Sequence, residues 1–186
     1  PVIGLTATPF TKGLGETYSN VVNVATTDEL IARGYLAPLK VYAAEEIDMT
    51  GAKTIAGEWS DKAVEERGSA IIGDIVKEWV EKTHHHFGGP VKTIGFSATV
   101  AHGEEICRQF QAAGYDFRQI SYRDRNDDAR RALIDQFRAG QIQGLVSCEA
   151  LAKGFDVPDV LCLICARPYR RSFSSHIQML GRAMRS

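Results

Sequence analysis

The sequence is poor in cysteine and has no long apolar run. Its four cysteines are Cys107, Cys148, Cys162 and Cys165, and the last two have CxxC spacing inside an apolar segment. A structural zinc site needs four ligands, and no second CxxC pair is present. We therefore interpret the cysteines as thiols buried in the core, and we expect the protein to work in a reducing compartment. Apolar runs such as residues 160–166 are too short for a membrane span of about 20 residues, so no membrane partner is expected.

Targeting segments and the signatures of common small-molecule enzymes are absent as well. The N-terminus has no basic leader followed by an apolar stretch. No glycine-rich dinucleotide loop follows the first strand, and no Ser-His-Asp grouping has the spacing of a hydrolase. These absences disfavour a small-molecule α/β enzyme. The chain begins at Pro1, without Met and inside what reads as a strand, so we expect a fragment of a longer protein.

Positive charge is concentrated at the C-terminal end. The net charge of the chain is −1, yet the only formal charges between residues 160 and 186 are arginines, namely Arg167, Arg170, Arg171, Arg182 and Arg185. If residues 174–185 form a helix, Arg182 and Arg185 share a face. The planar guanidinium fork suits phosphate, so we expect this face to bind a nucleotide. The alternative is a basic helix end in water.

Strands and helices alternate from residue 91 onward. The predicted strands cover residues 91–97, 117–121, 143–147 and 160–166, and the predicted helices cover residues 69–82, 101–113, 127–139, 149–153 and 174–185. Asn126 is the predicted N-cap of the third helix, which Gly140 ends. The alternation predicts an α/β fold with a parallel sheet and helices on both faces. Ligands of such sheets bind at the carboxyl ends of the strands.

The region before residue 91 is less regular. We predict strands over residues 2–5 and 39–47, a short helix capped by Thr27 or Asp28 and stopped at Gly34, and a possible helical turn after Ser60. Residues 84–86 are three adjacent histidines, which we interpret as a solvated helix end or loop. A metal site is disfavoured because adjacent side chains point in different directions.

Four short segments lie at or near the predicted strand ends. They are Thr6-Ala7-Thr8-Pro9, Ser97-Ala98-Thr99, Lys-Gly-Phe-Asp-Val-Pro at residues 153–158 and Gln-Met-Leu-Gly-Arg-Ala-Met-Arg at residues 178–185. Hydroxyl groups and helix N-termini at strand ends suit phosphate oxygens. Thr99 taken alone also reads as a simple helix N-cap. A carboxylate such as Asp156 after Gly154 suits ribose hydroxyls or an arginine network.

In this order the segments resemble the motifs of superfamily 2 helicases. Residues 4–9 resemble motif III of the first RecA-like domain, and residues 94–99, 145–158 and 178–185 resemble motifs IV, V and VI of the second. The chain is thus similar to the C-terminal RecA-like domain of a DExH-type helicase, with its greatest similarity to RadD-like helicases of bacteria and phages. The resemblance implies a cytoplasmic protein of which residues 1–36 are a remnant of the first domain with its linker. Residues 37–186 would be the second domain, truncated just after motif VI.

The resemblance implies an ATP-dependent DNA helicase or translocase, in which ATP and Mg²⁺ bind between two RecA-like domains. Arg182 and Arg185 would act as arginine fingers, and Gln178 would order their site. Gly154 would allow close approach of the nucleotide, and Asp156 would contact its ribose or the arginines.

The nucleic acid would be held by its backbone. The resemblance implies that four residues contact its phosphates: Ser97, Thr99, Ser147 and Lys153. Thr6 and Thr8 would couple the state of the ATP to the grip on the strand.

The chain departs from the family pattern at several points. Cys148 stands where motif V commonly has Thr, and Lys153 stands where many relatives have Arg, which keeps the charge but loses the bidentate fork. No GxxxxGK[ST] phosphate loop and no DExH sequence is present, so this chain alone is expected not to hydrolyse ATP.

Alternatives and partners follow from the same resemblance. The alternatives are an RNA helicase and a non-catalytic nucleic-acid-binding RecA-like module, with DNA favoured over RNA as partner. The expected protein partner is the missing N-terminal RecA-like domain. A bare sheet edge could also cause self-association.

Overall fold

The computed structural model describes residues 3–5, 13–43, 48–55, 58–68, 72–121, 126–148, 157, 159–167 and 180–181. Within these ranges the helices are α1 Leu14–Thr17, α2 Thr27–Ala32, α3 Asp61–Gly68, α4 Ile72–Phe87, α5 Val100–Ala112 and α6 Asp127–Arg138. The strands are β1 Thr54–Ile55, β2 Glu58–Trp59, β3 Thr93–Phe96, β4 Phe117–Ser121, β5 Gly144–Cys148 and β6 Cys162–Cys165. No helix in these ranges is long and apolar enough to cross a membrane.

The centre of the fold is a four-stranded parallel sheet with the order β4-β5-β3-β6. In the register, Phe96 of β3 lies opposite Ser147 of β5 and Cys165 of β6. All carboxyl ends therefore meet at one edge. Together with the helices described next, this confirms the predicted α/β fold.

Apolar side chains cover both faces of the sheet. Successive strand residues point to opposite faces, and the neighbours Leu145 and Val146 of β5 accordingly enter different clusters. Leu145 packs with Phe137 of α6, and Val146 packs with Trp79 of α4 and with residues of α5. Helix α6 thus covers one face, while α4 and α5 cover the other.

An aromatic group fixes α4 and α5 on their face. The ring of Trp79 meets the rings of Phe110, Tyr115 and Phe117 edge-on, with centroid distances of 5.2, 4.8 and 5.4 Å. The Trp79 indole Nε1 donates a hydrogen bond of 2.8 Å to the hydroxyl of Thr93. Since Thr93 opens β3, this bond sets α4 against the start of the strand whose other end carries Ser97.

Some of the predicted helix caps and helix ends agree with the structure, and others do not. Asn126 caps α6 as predicted, through hydrogen bonds from the amides of Asp128 and Ala129. The cap of α2 is Thr26 and not Thr27 or Asp28, because Glu29 completes a capping box with Thr26. The end of α4 was placed too early, since the helix runs through the histidines to Phe87. His84 and His85 are exposed in its last turn, as expected for a solvated helix end.

Several other predictions need correction. Residues 39–43 of the predicted strand 39–47 form no strand, nor do residues 3–5, while α1 and the β1–β2 hairpin were not predicted. The helical turn after Ser60 is a helix of 8 residues, α3. Cys107 and Cys148 are buried as predicted for core thiols, but Cys165 is exposed. The cause is its place at the end of β6, which pairs with β3 on one side.

Residues 13–43 lie outside this core. None of residues 13–43 is buried, and the exposed apolar side chains include Val21, Val22, Val24, Tyr35 and Val41. The assignment of residues 1–36 to another domain remains a prediction.

Candidate nucleic-acid and nucleotide interface

Three of the eleven site residues predicted from the sequence lie in the described ranges: Ser97, Thr99 and Ser147. The others lie outside the described ranges: Thr6, Thr8, Lys153, Gly154, Asp156, Gln178, Arg182 and Arg185. The site that can be built from geometry is therefore the part at the ends of β3 and β5. Leu180 and Gly181 are helical, which agrees with a helix over this part of motif VI.

Ser97 and Ser147 join the ends of two neighbouring strands. The backbone N–H of Ser97 donates a hydrogen bond of 3.0 Å to the carbonyl of Ser147, continuing the β3–β5 ladder by one residue. The Ser97 hydroxyl donates to the carbonyl of Thr99 at 3.0 Å. Ser97 is 2% exposed and Ser147 is 0% exposed, so both hydroxyls are inside the fold. Ser97 shapes the turn that leads to Thr99.

Thr99 is the N-cap of α5. Its backbone is extended, with φ −130° and ψ 166°, and its Oγ1 accepts a hydrogen bond of 3.0 Å from the N–H of His102. The first amides of a helix have no partner within the helix and carry partial positive charge. No acidic residue lies in the first turn of α5. A capped helix N-terminus at the carboxyl edge of a parallel sheet is a favourable place for a phosphate group.

Gly103 and Gln119 hold α5 in place, and sequence reasoning missed both. The Gln119 side-chain amide donates a hydrogen bond of 2.7 Å to the carbonyl of Val100, which ties the first turn of α5 to β4. A Cβ on Gly103 would collide with this amide and would lie 2.8 Å from the hydroxyl oxygen of Ser97. The signal in the sequence was a glycine inside a helix, which indicates close packing when it has no role as a cap.

Glu65 of α3 is the other residue that the sequence did not indicate. The Thr99 hydroxyl donates to its carboxylate oxygen Oε2 at 3.2 Å. Thr99 therefore accepts from His102 and donates to Glu65 at once. A carboxylate of a separate helix thus lies at the N-terminus of α5.

His102 is a buried imidazole in the first turn of α5. It is 3% exposed, and neither ring nitrogen has a hydrogen-bond partner within the described part of the chain. Burial lowers the pKa of His102 below its usual value of 6.5, although the Glu65 carboxylate acts in the opposite direction. The imidazole is therefore neutral at physiological pH, and it interacts electrostatically with the Glu65 carboxylate.

Cys148 is the last residue of β5. It is buried, and its Sγ lies 3.8 Å from the carbonyl of Ala98, in the direction of a weak S–H donor bond. This contact again joins the end of β5 to the loop after β3.

Gly181, unlike Gly103, is not required by close packing in the described structure. A Cβ at this position would meet nothing within 4 Å.

Comparison with known proteins identifies the family of the chain. A family model described as "Helicase conserved C-terminal domain" matches residues 75–186, more than half of the chain. A "51.5 kDa protein" of a Lactococcus phage is 30% identical over 100% of this chain and 40% of its own length. The putative mitochondrial ATP-dependent helicase irc3 of Schizosaccharomyces pombe is 32% identical over 99% of this chain and 30% of its own length. The chain thus spans less than half of these relatives.

Solved structures show the same architecture. Domain 2 of the DEAD-box helicase Mss116p, solved with an RNA duplex, superposes with a TM-score of 0.51 at 20% identity, over 62% of this chain and 45% of that one. At this identity the likeness concerns the fold, a parallel sheet covered on both faces. The matched family model and this fold agree, and the chain belongs to the family of helicase conserved C-terminal domains.

Proposed function

We propose that this chain is the second RecA-like domain of an ATP-dependent DNA helicase or translocase. The observation that carries the proposal is the N-terminus of α5, capped by Thr99 at the carboxyl edge of the sheet, in a member of the helicase C-terminal family. Free helix amides recognise phosphate without reading a base. A motor that moves along any sequence needs a contact of this kind.

The nucleic-acid side of the proposed site is built around Thr99. Thr99 is half-buried, and its hydroxyl together with the amides of the first turn of α5 would bind one backbone phosphate. Ser97, buried beneath, would position the turn, and Lys153 would add a positive charge. Ser147 is fully buried, so its proposed contact is the least direct of the four.

The nucleotide side of the proposed site lies at motifs V and VI. Arg182 and Arg185 would stabilise the charge on the transferred phosphate, Gln178 would orient them, and Gly154 with Asp156 would line the ribose side. A magnesium ion bound with ATP neutralises phosphate charge. Among the described residues no three His, Cys, Asp or Glu side chains form a group of metal ligands, and the proposal assigns the magnesium ligands to a first RecA-like domain.

The first RecA-like domain is part of the proposal. Residues 1–36 would be the end of that domain with the linker, and Thr6 with Thr8 would couple ATP hydrolysis to the grip on the strand. Residues 37–186 would be the second domain. The relatives that match this chain are longer than it, which leaves room for such a domain, and the exposed apolar side chains of residues 13–36, among them Val21, Val22 and Val24, fit an origin outside the core.

The test is nucleic-acid-stimulated ATP hydrolysis by the full-length protein. An arginine finger contributes about 10³- to 10⁵-fold to the rate, so Arg185→Ala should reduce turnover by at least about 10³-fold. The control is Arg138→Ala, which removes an exposed arginine of α6 paired with Asp135, and which should leave the rate unchanged. Single-stranded DNA should stimulate hydrolysis more than single-stranded RNA.

Each outcome of this experiment decides between candidate functions. Stronger stimulation by RNA would make the protein an RNA helicase. Nucleic-acid binding without hydrolysis would make it a non-catalytic module. Normal turnover of the Arg185→Ala variant would refute the arginine-finger assignment, because the control shows what loss of an unrelated arginine does.

A further inference from the structure

The carboxylate of Glu65 lies at the place where the proposed function puts a phosphate. Glu65 belongs to α3, and Thr99 belongs to the turn before α5, so 34 positions of sequence separate them. The Thr99 hydroxyl donates to Glu65 Oε2 at 3.2 Å. The hydroxyl that is available to an incoming phosphate is therefore already bound to an anionic group of the same chain.

A second observation points to the same spot. His102, whose backbone amide donates to the Thr99 hydroxyl oxygen, is buried with both ring nitrogens unpartnered among the described residues, which is uncommon for a polar side chain inside a protein. The Glu65 carboxylate acts electrostatically on it. Thus a helix N-terminus, a buried imidazole and an acidic side chain converge where an anion is favoured.

The attachment of α3 to the rest of the fold is slight. Among its described side chains only Val64, at 2% exposure, is buried. Its start is fixed by Ser60, whose hydroxyl accepts a hydrogen bond of 3.3 Å from the Ala63 amide and whose own amide donates to the Lys53 carbonyl at 2.9 Å. Arg67, in its last turn, also donates to the carbonyl of Asp48. A short helix held by one buried apolar side chain and a few polar contacts can move away at modest cost.

We propose that Glu65 is an internal substitute for the nucleic-acid phosphate at the N-terminus of α5. Nucleic acid must displace this carboxylate before the Thr99 hydroxyl and the α5 amides can bind a backbone phosphate. The free protein is thereby held in a state of lower affinity, and α3 acts as a cover over the site. This inference rests on the proposed function, because it concerns the same phosphate site.

The direct test is the affinity of the full-length protein for a single-stranded DNA oligonucleotide, measured by fluorescence anisotropy at fixed salt. Glu65→Gln keeps a hydrogen-bond acceptor for Thr99 but removes the charge, and it should tighten binding roughly 2- to 5-fold, the range that one charge at a helix terminus is worth. The matched control is Glu66→Gln. Glu66 is the next residue of α3, exposed and paired with Lys62 at 3.7 Å, and its loss should change affinity less than 2-fold.

Hydrogen exchange gives a second measurement that needs no substitution. If the oligonucleotide displaces Glu65, the amides of α3 in the wild-type protein should exchange faster when the oligonucleotide is saturating. Unchanged or slower exchange in α3, or unchanged or weaker binding by the Glu65→Gln variant, would overturn the inference. Failure of the proposed function looks different, since the wild-type protein would then show no salt-dependent binding of single strands at all.

Discussion

The hydroxyl oxygen of Thr99 accepts a hydrogen bond of 3.0 Å from the backbone N–H of His102. This bond ends the loop after β3 and begins α5, so one side chain sets both the direction of the helix and the exposure of its first amides. Thr99 therefore has both the proposed phosphate contact and a hydrogen bond that stabilises the fold, and experiments must separate the two.

Replacing Thr99 separates the cap from the phosphate contact. Thr99→Ala should lower the free energy of unfolding by about 1 kcal/mol, because the N-cap bond is lost. Thr99→Ser keeps an oxygen at the same position and should be near the wild type. Denaturant unfolding of the two variants measures this difference. Equal stability of the alanine and serine variants would show that the cap contributes nothing.

Gly103 should be sensitive to the addition of a single methyl group. Gly103→Ala gains helix propensity of about 1 kcal/mol, but the new Cβ would collide with Gln119 and press on the Ser97 hydroxyl at 2.8 Å. Overpacking of this kind costs about 1–3 kcal/mol, so we expect a net loss of stability. In a Gln119→Ala background the loss should shrink, and a double-mutant cycle by denaturant unfolding measures that coupling. A loss of the same size in both backgrounds would contradict the collision.

His102 should make the fold sensitive to mild acid. Burial lowers its pKa in the folded chain below the usual 6.5, so the unfolded chain binds a proton more readily. The contribution of His102 to the free energy of unfolding is then fully present above the unfolded pKa, and it falls as the pH drops below about 6.5 toward the folded pKa. His102→Leu should flatten the profile of unfolding free energy between pH 5 and pH 7. His84→Leu, at an exposed position of α4, should leave the profile as it is.

The hydrogen bond between Trp79 and Thr93 can be tested apart from the packing of the indole. Trp79 is 4% exposed, and Trp79→Ala should cost about 3–5 kcal/mol. Trp79→Phe keeps an aromatic ring but loses the donor to Thr93 and some volume, so it should cost about 1–2 kcal/mol. Thermal or denaturant unfolding measures both. A phenylalanine variant as unstable as the alanine variant would mean that the hydrogen bond dominates, contrary to this ranking.

Local sequence signals predicted the repeating part of the fold well. Strand β4 was predicted over residues 117–121, where it lies, because its apolar residues are bounded by turn residues on both sides. Helix α6 was predicted to within one residue, since Asn126 and Gly140 carry the cap and the left-handed turn that begin and end a helix. Caps and glycines act through the nearest few residues, so the sequence contains them.

The end of α4 shows how a local signal can be misjudged. The apolar periodicity predicts a helix that ends at Lys82, before the histidines, but a histidine does not break a helix. The real stop is Gly88, with a φ of 77°, whose amide donates to the His84 carbonyl. Thr83, at 1% exposure, donates its hydroxyl to the Trp79 carbonyl at 2.7 Å and continues the buried stripe past the predicted end.

The candidate site was harder to predict than the fold, because it depends on contacts between residues far apart in the sequence. The hydroxyls of Ser97 and Thr99 could be predicted at a strand end, since a strand followed by a helix has a readable pattern. The contact from Glu65 to Thr99 could not, because no periodicity links α3 to a loop 34 residues later. The same holds for Gln119, whose side chain reaches the first turn of α5 from the neighbouring strand.

Salt dependence should distinguish the two kinds of phosphate contact that the proposed function assigns. A lysine that neutralises a phosphate releases a counterion, so Lys153→Ala in the full-length protein should lower the slope of log K against log salt by about 0.7 on single-stranded DNA. Lys153→Arg should keep the slope. Thr99 and the α5 amides carry no net charge, so Thr99→Ala should weaken binding at every salt concentration without changing the slope. Lys77→Ala, at an exposed position of α4, serves as the control for a general loss of charge. If that variant lowers the slope as much as Lys153→Ala does, the lysines act through the overall field of the protein and not through a contact at this edge.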